Sequence, residues 1–63
     1  MDRLALDVFI TKEDDGTYDV DVFDININER DENLTNGHLA LGKAHRYVKE
    51  LRVKHTVDFK GIR

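Results

Sequence analysis

The feature that most constrains the fold is a strict alternation of side-chain types near the start of the chain. Between residues 4 and 11, one parity is entirely apolar (Leu4, Leu6, Val8, Ile10) and the other is mixed (Ala5, Asp7, Phe9, Thr11). A period of two predicts a β-strand with one face on a core. Apolar side chains on both parities favour a central place in a sheet.

A second alternating segment follows a turn signal. Residues 13–17, Glu-Asp-Asp-Gly-Thr, predict a hairpin loop in which Gly16 takes positive φ, and residues 18–27 predict the second strand. The pairing places Ile10 opposite Val20 and Val8 opposite Val22. The apolar phase then slips by one residue at Val22–Phe23, which we interpret as a β-bulge.

Beyond that bulge, the expected pairing sets Leu6 opposite Ile25 and Leu4 opposite Ile27. Residues 28–36 predict a polar loop, with Thr35 or Asn36 capping a helix. Five side chains of that helix fall within one arc of about 100°: Ala40, Ala44, Tyr47, Val48 and Leu51.

The last segment, residues 53–60, alternates again and predicts a third strand that ends at Gly61. The chain is therefore expected to be a single α+β domain, 1–63, with a β-β-α-β layout. A right-handed crossover makes strand 3 parallel to strand 2. Strand 1 lies between them, which gives a three-stranded mixed sheet of order 2-1-3 with the helix on one face.

Size and composition exclude several classes of function. With 63 residues and no cysteine, the chain offers no disulfide, thiolate metal site or thiol nucleophile. No apolar run approaches the roughly 18 residues of a membrane span, and residues 1–10 lack the basic start of a signal peptide. No nucleophile elbow, phosphate loop or other catalytic signature is present, so we expect a protein that is not an enzyme and uses no cofactor.

The three histidines do not predict a metal site. His38 and His45 are seven residues apart, or about 10.5 Å along the expected helix, which is too far to share a zinc ion. His55 lies on the expected third strand. We expect His38 and His45 to face solvent and His55 to be a partly buried neighbour of the helix.

Charge is distributed unevenly along the chain. Residues 1–33 carry a net charge of −8, whereas residues 34–63 carry +5 and all three histidines. Six acids define what we call the acidic strip: Asp19, Asp21, Asp24, Glu29, Asp31 and Glu32. The strip has two readings, a solvated edge strand that resists edge-to-edge pairing or a surface that docks on a basic partner protein.

The open face of the sheet offers an apolar anchor. Phe9 is expected to be exposed at its centre and ringed by charge, as at a protein-binding hot spot, although single surface aromatics are also common. A nucleic-acid-binding or regulatory module that uses Arg46, Lys49, Arg52 and Lys54 is the alternative. The net charge of −3 argues against direct nucleic-acid binding. A homodimer that pairs open sheet faces is a third reading.

The C-terminal third carries a family resemblance in Gly42-Lys43-Ala44, Val48-Lys49 and the closing run Thr56-Val57-Asp58-Phe59-Lys60-Gly61. With the β-β-α-β layout, these residues resemble the Dmd-type antitoxins of T-even-like bacteriophages. The resemblance implies a protein that neutralises a host ribonuclease toxin of the RnlA/LsoA kind in the host cytoplasm. The partner would be that toxin or another nucleic-acid-handling protein, with its active-site region occluded by Phe9 and the acidic strip.

Overall fold

The computed structural model describes residues 3–63, which form an α+β domain with one helix on a mixed sheet. The elements are β1 (Ala5–Lys12), β2 (Tyr18–Asp24), β3 (Glu29–Arg30), β4 (Asn36–Leu39), α1 (Leu41–Lys54) and β5 (Thr56–Ile62). The sheet runs β3-β2-β1-β5, and β4 also pairs with β2. The predicted α+β class is confirmed, while the sheet is larger than the three strands expected.

The first hairpin is the part of the sheet that the alternation predicted best. β1 and β2 are antiparallel, with Ile10 opposite Val20 and Val8 opposite Val22. The loop between them spans residues 13–17, and Gly16 has a φ of +85°. Its backbone N–H donates to the Glu13 carbonyl at 3.1 Å.

The predicted β-bulge at Val22–Phe23 is wrong. Pairing with β1 continues without a shift to Leu6 opposite Asp24, where β2 ends. Ile25 and Ile27 lie in the following turn, 48% and 62% exposed, rather than opposite Leu6 and Leu4. The slip in apolar phase thus marks the end of a strand, because turn residues no longer alternate between two faces.

The direction predicted for the last strand is also wrong. β5 pairs parallel with β1, not antiparallel. The cause is β4, which pairs antiparallel with β2 and adds one chain reversal before the helix. The sequence pattern instead predicts that residues 36–39 belong to the loop and the start of the helix.

The helix begins later than expected for the same reason. Ala40 is its N-cap, without a side-chain cap, so neither Thr35 nor Asn36 has that role. Val53 and Lys54 belong to α1 instead of the last strand. Gly61 does not end β5: it follows a register shift opposite Val8/Phe9, has a φ of +105°, and the pairing continues to Ile62 opposite Ile10.

The core lies between α1 and one face of the sheet. Strands β1 and β2 contribute Leu6, Val8, Ile10, Val20 and Val22, all fully buried, and α1 contributes Ala44, Val48 and Leu51. Tyr47 is half-buried at the edge of this core, and its hydroxyl donates to the Leu34 carbonyl. Because α1 covers only one face of the sheet, the opposite face is open, and the candidate site predicted around Phe9 lies there.

Candidate functional site

An aromatic pair occupies the centre of the open sheet face. Phe9 on β1 and Phe23 on β2 are diagonal neighbours, because Phe9 pairs with Asp21 and Phe23 pairs with Asp7. Their ring centroids are 5.8 Å apart with an interplanar angle of 89°. This edge-to-face geometry is favourable for aromatic rings and fixes both side chains.

Arg63 covers part of this pair. Its guanidinium carbon lies 4.3 Å from the centroid of Phe9, a cation–π contact. Its Nε donates to the Thr11 hydroxyl at 3.1 Å. Phe9 is consequently half-buried, whereas the alternation on β1 predicts an exposed residue.

Asp21 lies beside the aromatic pair and is 5% exposed. The Thr11 hydroxyl donates to its Oδ2 at 2.6 Å. Arg30 on β3 approaches Oδ1 at 3.4 Å and Arg63 approaches Oδ2 at 3.4 Å. A carboxylate this deeply buried requires such partners, so Asp21 ties β1, β3 and the end of the chain together.

The other side of the open face is a smaller ion-pair cluster. Lys60 Nζ lies 2.8 Å from Asp58 Oδ2 and 3.8 Å from Asp7 Oδ1. The hydrogen bond and charge of Asp58, with the charge of Asp7, raise the pKa of the Lys60 ammonium. The open face is therefore an aromatic centre flanked by groups of both signs.

The six acids of the acidic strip do not share one surface. β2 is not an edge strand, because β3 and β4 pair along its outer side. Asp19 points to the open face, where its Oδ1 accepts from the backbone N–H of His38 at 3.0 Å. Asp24, opposite the fully buried Leu6, lies on the helix side of the sheet and is itself buried.

Two of the strip's aspartates bind backbone N–H groups in turns. Asp24 Oδ1 accepts from Asn26 at 3.0 Å. Asp31 Oδ1 accepts from Asn33 at 2.9 Å and Leu34 at 3.1 Å. Short aspartate side chains commonly bind backbone donors in this way.

The exposed acids of the strip are thus reduced to Glu29 and Glu32 at the β3 edge. Glu32 Oε1 lies 3.3 Å from Arg30 Nε. Arg30 in turn contacts Asp21 on the open face. Glu32 forms the acidic rim of the open face and adjoins the aromatic centre through Arg30. Glu29 pairs with Asp24 and therefore lies on the helix side of the sheet.

The hairpin loop carries a second acidic group. Hydrogen bonds from the Thr17 hydroxyl and backbone N–H lower the pKa of Asp15, with a smaller contribution from His38. Hydrogen bonding to Asp19 and the Asp19 charge raise the pKa of Glu13. The pKa values of two nearby carboxyl groups in this loop, Asp15 and Glu13, are therefore shifted in opposite directions.

Gly37 explains why β4 can lie so close to Asp19. A Cβ atom at this position would lie 2.9 Å from Asp19 Oδ1, closer than real contacts allow. His38 follows with a φ of +57° and an exposed side chain. The dipeptide Asn36-Gly37 is the sequence signal for this backbone approach, although a four-residue polar strand has no clear alternation.

The histidines occupy three separate places. His38 lies on β4 rather than the helix, with its Nδ1 3.6 Å from Asp15 Oδ2. His45 is on α1, and its ring packs edge-on against the Phe59 ring with the two ring centroids 6.1 Å apart. His55 follows α1 as its C-cap and is half-buried, and its Nδ1 accepts from the Leu4 N–H at 3.2 Å. Within residues 3–63, no three histidine or acidic side chains form a metal-binding cluster.

The outer side of α1 is the second charged surface. Its basic side chains are exposed, and Glu50 is the one acidic residue of the helix. A hollow of about 210 Å³ lies between α1 and β4, lined by Asn36, Leu39, Lys43, Arg46, Tyr47 and Glu50. Burial, followed by the charges of Glu50 and Asp31, raises the pKa of the Tyr47 hydroxyl beside it.

The comparisons with known proteins assign no family: no family model, curated protein or solved structure matches the chain. α1 has 14 residues, and across residues 3–63 no helix has the length and apolar content to cross a membrane.

Proposed function

We propose that the chain is a non-enzymatic protein-binding inhibitor that docks its open sheet face on a basic protein. The observation that carries the proposal is the Phe9–Phe23 pair, which lies on a sheet face that α1 does not cover, next to the acidic rim at Glu32. Aromatic anchors surrounded by polar groups are typical of binding hot spots. Charge complementarity at the rim would speed association and discriminate among partners.

The partner class follows from charge and from the resemblance to Dmd-type antitoxins. A ribonuclease binds RNA through a basic groove, and an acidic rim beside an aromatic anchor is complementary to such a groove. The proposed partner is a host ribonuclease toxin, whose active-site region the chain would occlude. Its place of action would be the cytoplasm of the host cell, where the toxin meets its RNA substrates.

The rim is narrower than the acidic strip expected from sequence. Asp21, Asp24 and Asp31 have protein partners of their own, so in this proposal they shape the surface without contacting the toxin. The intermolecular attraction is assigned to Glu32, and the apolar contact to Phe9. Removing either contribution should weaken inhibition without requiring loss of the fold.

The test is an RNA-cleavage assay with a purified ribonuclease toxin of this class and a fluorescent RNA substrate. Wild-type chain is expected to suppress cleavage at equimolar concentration. Glu32→Lys should weaken inhibition about tenfold, which corresponds to about 1.4 kcal/mol, because it places a cation where the basic partner meets the open face. Glu50→Lys is the matched control, since it makes the same charge change at an exposed position on α1.

A second variant tests the aromatic anchor. Phe9→Ser should abolish inhibition while Val53→Ser, which removes a 76% exposed apolar side chain from α1, leaves it intact. Circular dichroism of each variant establishes that it is folded. Full RNA cleavage in the presence of folded wild-type chain, or equal inhibition by Glu32→Lys and Glu50→Lys, would refute the proposal.

A further inference from the structure

The outer face of α1 carries cations in a regular row. Lys43, Arg46, Lys49 and Arg52 recur every three residues, and Lys54 follows at the helix end. All five side chains are exposed. At 1.5 Å per residue, the row from Lys43 to Arg52 extends about 13.5 Å along the helix axis.

Among residues 3–63, these cations have no acidic partner. The ion pairs found among residues 3–63 involve Arg30, His38, Lys60 and Arg63, and none involves a lysine or arginine of α1. Arg52 and Lys54 lie in the last turn of α1, where their positive charges interact favourably with the helix dipole. That local effect does not apply to Lys43, Arg46 and Lys49, which lie earlier in the helix.

A hollow and an aromatic side chain lie next to this row of cations. The hollow of about 210 Å³ between α1 and β4 lies beside Lys43 and Arg46, and the Tyr47 side chain lines it. The hydroxyl of Tyr47 is held by the Leu34 carbonyl, which fixes the ring. Aromatic rings next to cations are the usual combination for binding a nucleic-acid strand, since the ring can stack on a base while the cations contact phosphates.

We propose that the outer face of α1, from Lys43 to Lys54, binds the phosphate backbone of a single RNA strand. Each step of three residues turns the row by about 60° around the helix, so Lys43 and Arg52 lie on opposite flanks of α1. A strand that crosses the helix obliquely contacts these cations in succession. The surface is separate from the open sheet face, because the core lies between them. The inference therefore does not depend on the proposed inhibition of a ribonuclease.

The net charge of −3 argues against nucleic-acid binding by the chain as a whole, but salt screening limits that repulsion at this face. Charges farther apart than about 8 Å are largely screened at physiological ionic strength. The acids that influence Tyr47, at the edge of this face, are Glu50 and Asp31. Asp31 lies outside α1 and binds two backbone N–H groups. Glu50 is the one acidic residue of α1 itself.

The test is fluorescence anisotropy with a fluorescein-labelled, mixed-sequence single-stranded RNA of about 20 nucleotides, long enough to span several phosphate contacts. Four phosphate contacts predict a slope of log K against log salt of about −3. Lys49→Glu should weaken binding about tenfold at 50 mM salt and reduce the slope by about 0.7.

Lys12→Glu is the matched control, because Lys12 is also an exposed lysine and lies on β1. It should leave both affinity and slope near the wild-type values. Arg46→Glu provides a second variant on the row if Lys49→Glu unfolds, as judged by circular dichroism.

Three results would overturn the inference. The first is the absence of saturable RNA binding by folded wild-type chain at 50 mM salt. The second is an equal loss of affinity in Lys12→Glu and Lys49→Glu, which would indicate a diffuse charge effect. The third is equally tight binding of poly-glutamate with the same salt dependence, which would assign the face to an acidic polypeptide.

Discussion

The acidic and basic halves of this chain use their charges differently. In the acidic half, Asp21, Asp24 and Asp31 accept hydrogen bonds from neighbouring hydroxyl or backbone groups. On α1, the lysines and arginines extend into solvent. A net charge of −8 in one half and +5 in the other therefore does not become two equal and opposite surfaces.

Side-chain length explains the difference. An aspartate carboxylate lies close to its own backbone and can bind N–H groups two or three residues ahead, as Asp31 does with Asn33 and Leu34. Lysine and arginine have long flexible stems and reach away from a helix. A count of charges thus overestimates the acidic surface more than the basic one.

The largest effect is expected at Asp21. Asp21→Ala would leave the Thr11 hydroxyl, Arg30 and Arg63 without their shared acceptor. Since both arginine side chains are about half exposed and can rehydrate, the free energy of unfolding should fall by about 2–3 kcal/mol, less than for a fully buried pair. Urea denaturation measures this value.

Asp14→Ala provides the control for Asp21→Ala, because Asp14 is exposed in the hairpin loop. Its effect on the free energy of unfolding should stay within about 0.5 kcal/mol. Equal losses from the two substitutions would contradict the structural role assigned to Asp21 and restore it to a freely available acidic surface.

A smaller loss is expected at Asp31. Asp31→Ala removes the acceptor for two backbone N–H groups and should lower the free energy of unfolding by about 1 kcal/mol. Lys49 lies in the basic half, on α1, and has no ion-pair partner within residues 3–63. Lys49→Ala should therefore change the free energy of unfolding by less than about 0.5 kcal/mol. Chemical denaturation in the same buffer compares the two directly; a Lys49→Ala loss as large as that of Asp31→Ala would remove the distinction between the halves.

The smallest effect concerns the titration of the hairpin loop. Asp15 should titrate below its ordinary pKa of 3.8, because Thr17 donates to its ionised form, and Glu13 should titrate above 4.5, because Asp19 hydrogen-bonds to it and repels its charge. A lowered folded-state pKa means that the contribution of Asp15 to stability is present above pH 3.8 and is lost as the pH falls below it. The raised pKa of Glu13 acts in the opposite sense: its contribution is complete below pH 4.5 and is lost as the pH rises through the folded-state value.

Carboxyl-carbon NMR can follow both groups in one titration. Asp19→Asn removes the charge that is among the main causes at Glu13, so it should move the pKa of Glu13 back towards 4.5 and leave Asp15 low. Identical titration of Glu13 in wild type and Asp19→Asn would show that the two carboxyls are not coupled.

Local sequence patterns predicted part of this fold well. Alternation in residues 4–11 and 18–22 placed the central hairpin in register, including Val8 opposite Val22. The helical arc identified Ala44, Val48 and Leu51 as core residues. These features are predictable because burial on one face imposes a repeat of two or 3.6 residues.

The candidate site was predicted only in outline. The open face and the central position of Phe9 follow from alternation on β1, but the partners of Phe9 do not. Arg63 lies 52 residues away from Thr11, which it contacts, and Arg30 reaches Asp21 from a two-residue strand. Such contacts depend on how strands are arranged in the sheet, which a local pattern does not encode.

The sequence by itself determined the α+β class, the central hairpin, the core face of the helix and the uneven distribution of charge. Tertiary structure decided the direction of β5, because the four-residue strand Asn36–Leu39 adds a chain reversal without a hydrophobic period. It also decided which charges remain available to a partner. Whether a carboxylate is free depends on the donors that folding brings within hydrogen-bond distance, and for Asp21 those donors come from three separate parts of the chain.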